Sequence, residues 1–143
     1  MGRKYLEGIG VTPTNQITDN SDDEREERWA KDTKVFGFDD RDTWNLDSTM
    51  LELLYERVRM YVEVSEIVNH EATTLIVDGV KRPLSWVIDE ILRLSKEALT
   101  FDQTIPDEGF ETLEEYEQAE RRLLDTQKKV WSLWAQSFYC FWW

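Results

Sequence analysis

From Leu46 onward, apolar residues recur every three or four positions in three separate runs. That spacing lines up one face of an α-helix, so each run predicts an amphipathic helix. The first run is Leu46, Met50, Leu54, Val58, Tyr61, Val64 and Val68, a helix of about 25 residues. The second starts at Pro83, whose fixed φ suits the first position of a helix, and would bury Leu84, Val87, Ile88, Ile91, Leu94, Ala98 and Leu99. The third starts after Thr112, which forms a capping box with Glu115, and would bury Tyr116, Leu123, Val130, Trp134, Phe138 and Phe141.

The breaks between the runs are equally informative. In "HEATTLIVDGVKRP", β-branched residues flank Asp78-Gly79, a favoured two-residue turn. This predicts a hairpin pairing Leu75-Ile76-Val77 with Val80-Lys81-Arg82. An isolated hairpin is not stable, so it must lie on the helices or pair with another chain. "FDQTIPDEGFET" reads as a connector broken by Pro106 and Gly109. Residues 1–34 lack apolar periodicity and read as a flexible acidic N-terminal arm, in which "SDDEREERWAK" supports one short helix with Ser21 as N-cap. The expected fold is therefore all-α: a three-helix, bundle-like domain over residues 35–143 with a short β-hairpin, preceded by that arm.

At the start of the first run, "VFGFDDRDTWNLD" gathers four aspartates and a Trp. Asp39 and Asp42 have capping-box spacing, Asn45 offers a second cap, and Trp44 would anchor the helix start. The acids are expected to serve the positive end of a helix rather than a reaction.

Forming a core of this size needs enough apolar material, and 41% hydrophobic residues with seven Trp supply it. The formal charge of −13 repels phosphate backbones and anionic lipid, so neither nucleic acid nor membrane is an expected partner. A protein with a basic surface is. Cys140, the single cysteine, rules out an internal disulfide and reads as a small buried hydrophobe. With no signal-peptide pattern and no apolar span of roughly 18 residues, the reading is a cytoplasmic protein.

Little in the sequence supports chemistry. His70 is the single histidine and is expected on the surface, and no glycine-rich phosphate loop is present. Glu63-x-x-Glu66 half-matches the paired acids with which all-α nucleotide pyrophosphohydrolases hold magnesium. The second helix offers Asp89-Glu90 and Glu97 instead of the matching pair. A magnesium-dependent nucleotide hydrolase stays an alternative, with no catalytic, cofactor or metal residue assigned.

Two features suit partner binding. From Asp102 to Glu120 the chain has carboxylates and no Lys or Arg; Asp107, Glu108, Glu111, Glu114, Glu115, Glu117 and Glu120 could imitate a row of phosphates before a basic channel. The stretch "KKVWSLWAQSFYCFWW" ends in Trp142 and Trp143, expected either to dock on the helices or to form an aromatic patch for a partner or for self-association into a homo-oligomer.

The segment "FGFDDRDTWNLDSTMLELLYERVRMYVE" resembles a recurrent group of small phage and prophage proteins, through Gly37, Phe38, Asp40, Asp42, Trp44, Leu46, Asp47, Glu56, Arg57, Val58 and Arg59. "WVIDEILRLSKEAL" is similar to their second helix. The resemblance spans about half the chain and implies a phage-encoded accessory protein in the bacterial cytoplasm, with no activity and no catalytic residues attached. The expected function is thus a non-enzymatic protein that binds a host or phage protein, inhibiting a nucleic-acid-processing or defence enzyme through an acidic surface. The alternative from another class is a structural protein assembling through its aromatic C-terminal stretch.

Overall fold

A computed structural model describes residues 3–16 and 22–142, except the side chains of Ile67 and Val68. Ser21, Trp143 and the Val68 side chain, all singled out above, lie outside the described residues. The described residues are mostly helical (72%) and include one small antiparallel sheet. The three expected helices are present as α3 (Leu46–Val64), α5 (Leu84–Leu99) and α6 (Leu113–Ser137). Three more helices accompany them among the described residues: α1 (Lys4–Glu7), α2 (Asp23–Phe36) and α4 (Ile67–Ala72). The chain divides into two compact units, Met1–Leu54 and Tyr55–Trp143, and the division falls inside α3.

In the first unit, α2 occupies much of the segment expected as an arm. Asp22 caps it, accepting from the Arg25 backbone N–H at 2.8 Å. Asp23, Glu24 and Glu26 fill its positive first turn. It stops at Gly37, whose φ of 83° is the left-handed C-cap conformation that glycine adopts without a Cβ penalty. One residue of α2, Trp29, is buried. Its indole N–H donates to Asp40 at 2.6 Å and its ring meets Trp44 edge-on at 6.0 Å. An aromatic with both a polar and an apolar partner fixes α2 against the turn that follows.

The start of α3 differs from its expected pattern. Thr49, Leu51, Glu52 and Leu54 are buried, whereas Leu46 and Met50 are exposed, as is Val64 at the other end. The buried face is therefore rotated from the one that hydrophobicity alone selects. The reason is Glu52: its carboxylate accepts from the Thr14 N–H (3.1 and 3.2 Å) and hydroxyl (2.9 Å). A buried charge is tolerable when several donors satisfy it, and here they come from a segment 38 residues away. The helix is also shorter than expected, ending at Val64 with Ser65 and Glu66 outside it.

In the second unit, the hairpin forms in the expected register. β1 (Thr74–Val77) pairs with β2 (Val80–Pro83), with Leu75 opposite Arg82, Ile76 opposite Lys81 and Val77 opposite Val80. Asp78 (φ 49°) and Gly79 (φ 80°) give the two positive angles of a type I′ turn, whose twist matches the strands. Leu75 and Val77 are buried while Thr74 and Ile76 are exposed, the alternation of a half-covered strand. β1 packs on α6, and β2 on α4 and α5, so the hairpin lies on the helices. Gln136 of α6 clamps the turn, accepting from the Asp78 N–H at 2.9 Å and donating to its carboxylate at 3.1 Å.

α5 and α6 form the main contact of this unit. α5 begins one residue after Pro83 and buries Leu84, Val87, Ile88, Ile91, Leu94, Ser95 and Ala98. Each of its fully buried Leu, Ile and Val side chains contributes roughly 1.5–3 kcal/mol. α6 presents Ala119, Val130, Leu133 and Ser137 to the core. Of its expected face, Val130 is buried, Leu123, Trp134 and Phe141 are half-buried, and Tyr116 and Phe138 are exposed. Helix contacts admit small residues such as Ala119 and Ser137 because they let backbones approach, a choice that apolar spacing does not reveal.

Candidate functional site

The Asp39 doorstep is built for structure. Asp39 caps a short 3-10 turn, Asp40–Thr43, and the full capping box is present: the Asp39 side chain accepts from the Asp42 N–H, and Asp42 accepts from Asp39 N–H at 3.2 Å; Asp39 also accepts from Arg41 N–H at 3.0 Å. The Arg41 guanidinium adds two bonds to the buried Asp39 carboxylate, at 2.9 and 2.8 Å, and Thr33 adds one at 3.1 Å. These donors, Arg41 first, hold the Asp39 carboxyl below the usual carboxylate range although burial pushes the other way. Arg41 also lies over the Trp29 ring at 4.3 Å. Asp40 is occupied too, by Trp29 and by Arg28 at 2.6 Å. Asn45 caps differently from the expectation: its φ of 44° is left-handed, and its backbone carbonyl accepts from Thr49.

His70 is buried, 4% exposed, which corrects the expected surface position. Its Nε2 lies 2.6 Å from Ser65 Oγ, and its ring stacks on Tyr61 at 5.1 Å. The Ser65 hydroxyl also donates to the Tyr61 carbonyl, and the direction of the Ser65–His70 bond follows the imidazole tautomer. The arrangement closes the C-terminal turn of α3. Glu66 lies beyond that helix, so Glu63 and Glu66 do not share a helical face. Among the described residues, no group of three or more His, Cys, Asp or Glu side chains could hold a metal ion.

The C-terminal aromatic stretch is split. Cys140 is buried, and Phe141 packs on Tyr61 (5.1 Å) and Trp134 (5.0 Å). The Tyr61 hydroxyl donates to the Trp142 carbonyl at 2.9 Å, and burial raises its pKa. Phe138, Tyr139 and Trp142 face outward, Trp142 at 70% exposure.

The acidic run faces outward throughout: Asp107, Glu108, Glu111, Glu114, Glu115, Glu117 and Glu120 are all exposed. Among the described residues, no Lys or Arg forms an ion pair with any of them. Glu115 serves the fold, because Thr112 accepts from its N–H (3.1 Å) and its carboxylate accepts from the Glu111 N–H (3.1 Å). The capping box thus reaches one residue further back than the sequence predicts.

Beside these acids lies a feature the sequence reading missed, an apolar pocket of about 130 Å³ lined by Phe101, Ile105, Phe110, Tyr116, Ala119, Glu120 and Leu123. Phe110 and Tyr116 meet edge-on at 5.8 Å. The connector and the first turns of α6 supply both the pocket and the seven carboxylates. The signal is available in Phe101, Ile105 and Phe110, three large apolar residues in a segment whose Pro106 and Gly109 mark it as a connector. α6 also leaves Leu113, Tyr116 and Leu124 exposed. With Glu120 these are spaced by three, four and four, one outward stripe. A larger cleft of about 280 Å³ between α5, α6 and the hairpin turn is lined by Asp78, Glu90, Arg93 and Lys129 among others; Arg93 donates to Glu90 at 2.8 Å, which lowers the Glu90 pKa, and Gln136 holds Asp78.

No protein-family model, curated protein or solved structure matches this chain. No helix among the described residues is long and apolar enough to cross a membrane.

Proposed function

We propose that this chain acts by binding a protein with a basic surface through the connector and the first turns of α6, without catalysing a reaction. The observation that carries this reading is the outward set of seven carboxylates, from Asp107 to Glu120, with no paired cation among the described residues and an apolar pocket beside them. Carboxylates that serve only solubility need no concave apolar neighbour, whereas interfaces combine an apolar anchor with a charged rim. The phage-like motif around Gly37 to Asp47 supplies the biological setting of the proposal: a phage-encoded accessory protein in the bacterial cytoplasm, inhibiting a nucleic-acid-processing or defence enzyme. The test is capture of partners from phage-infected cells with the wild-type chain and with Glu114, Glu117 and Glu120 all changed to Lys. A stoichiometric basic partner, held at low salt and absent from the charge-reversed bait, supports the reading. Equal capture by both baits overturns it.

The outward Phe138, Tyr139 and Trp142 favour a second reading, self-association through an aromatic patch. Light scattering at high concentration decides it: a species of several chains that Trp142→Ser dissociates supports assembly, and a clean monomer opposes it.

A further inference from the structure

The proposed acidic interface leaves open whether its partner is recognised by charge alone. Charge alone does not explain why Leu113, Tyr116 and Leu124 point outward among these carboxylates, with Leu113 71% exposed. Nor does it explain the pocket against which Tyr116 and Leu123 stand. Resting on that proposed interface, we infer that the occupant is a basic amphipathic helix of a partner protein, which inserts one leucine- or isoleucine-sized side chain into the pocket lined by Phe101, Ile105, Phe110 and Leu123.

Three properties point to this occupant. The stripe from Leu113 to Leu124 spans three helical turns, about 16 Å, so a helix laid alongside it would meet it with successive anchors at i, i+3/i+4, i+7 and i+11. The pocket volume of about 130 Å³ holds one aliphatic side chain and is too small for a drug-sized ligand, which needs roughly 300 Å³ or more. The carboxylates flanking the stripe have no paired cation among the described residues, so Lys or Arg beside the apolar anchors would find complementary charge, whereas an acidic or neutral helix would not. Exposed ion pairs add little affinity each, so the apolar anchor should set the strength and the rim the choice of partner.

The experiment uses the full chain and two labelled synthetic helical peptides of equal positive charge, one with leucines at i, i+3 and i+7, the other with those leucines replaced by glutamine. Fluorescence anisotropy should show the leucine peptide binding at least about ten-fold more tightly. Changing Tyr116→Ser and Leu124→Ser together should remove that preference while far-ultraviolet circular dichroism stays unchanged, since each residue is 47% exposed. Equal, salt-sensitive binding of the two peptides overturns the anchored-helix inference and leaves the acidic interface standing. A leucine preference that survives the double substitution overturns its location. Binding of neither peptide at low salt overturns both the inference and the acidic interface.

Discussion

Asp39 to Asp42 and Asp107 to Glu120 are both acid-rich stretches next to a helix start, yet their carboxylates do opposite things. In the first, Asp39, Asp40 and Asp42 are each met by a donor: the Arg41 guanidinium, the Trp29 indole, Arg28 or a backbone N–H. In the second, Glu115 is engaged by a backbone N–H, while Glu117 points to solvent. The difference lies in the neighbours. "DDRDTW" carries an arginine and a tryptophan within the stretch, and α2 brings another of each, whereas no Lys or Arg occurs from Asp102 to Glu120. Acids with local donors fold the chain, and acids without them remain available to something outside it.

The sharpest way to break this contrast is Asp39→Ala. It removes a cap and leaves Arg41 half-buried without its partner, so unfolding free energy by denaturant titration should fall by roughly 3 kcal/mol. A loss under about 0.5 kcal/mol, the size expected at an ordinary surface position, would erase the distinction between the two stretches. The same residue makes a pH prediction. Because the folded Asp39 carboxyl lies below its usual range, its stabilising contribution is complete above roughly pH 4 and disappears as pH falls through the folded value. Asp39→Asn should therefore flatten the acid limb of the stability curve, and an unaltered limb would show that Asp39 is not its source.

The same contrast explains what could be read from the sequence. Short-range signals were legible: the Asp78-Gly79 turn fixed the hairpin register, Asp39 and Asp42 formed their box, and α5 buried the face its spacing marked. Signals that depend on distant donors were not. Glu52 goes inside because Thr14 satisfies it, His70 because Ser65 and Tyr61 receive it, and neither partnership leaves a periodic mark. The face of α6 departs from its apolar spacing for a related reason: Tyr116, and Phe138 just past its end, face out while small Ala119 and Ser137 face in. The pocket was hidden because Phe101, Ile105 and Phe110 follow no helical or strand period.

A smaller pair of substitutions refines the comparison between the two stretches. Asp42→Ala deletes one arm of the capping box and should cost about 1 kcal/mol. Glu115→Ala deletes the corresponding bond at the start of α6 and, on an exposed helix end, should cost about 0.5 kcal/mol. Matched thermal unfolding of the two variants checks the order, and a larger loss for Glu115 would mean that part of the outward run supports the fold more than its geometry indicates.

The smallest expected effect on stability is the most informative about function. Changing Glu114, Glu117 and Glu120 together to Gln keeps their shape and removes three negative charges from a chain of −13. Glu117 takes no hydrogen bond among the described residues, and those of Glu114 with Gln118 (3.4 Å) and Glu120 with Tyr116 (3.5 Å) are long. Unfolding free energy should therefore move by no more than about 0.5 kcal/mol, with any gain coming from relieved like-charge repulsion. If that small change accompanies a ten-fold or greater loss of affinity for a basic amphipathic helix, the carboxylates serve recognition and not folding. A destabilisation approaching that of Asp39→Ala would place both acidic stretches in the same structural role, and the proposed interface would lose its support.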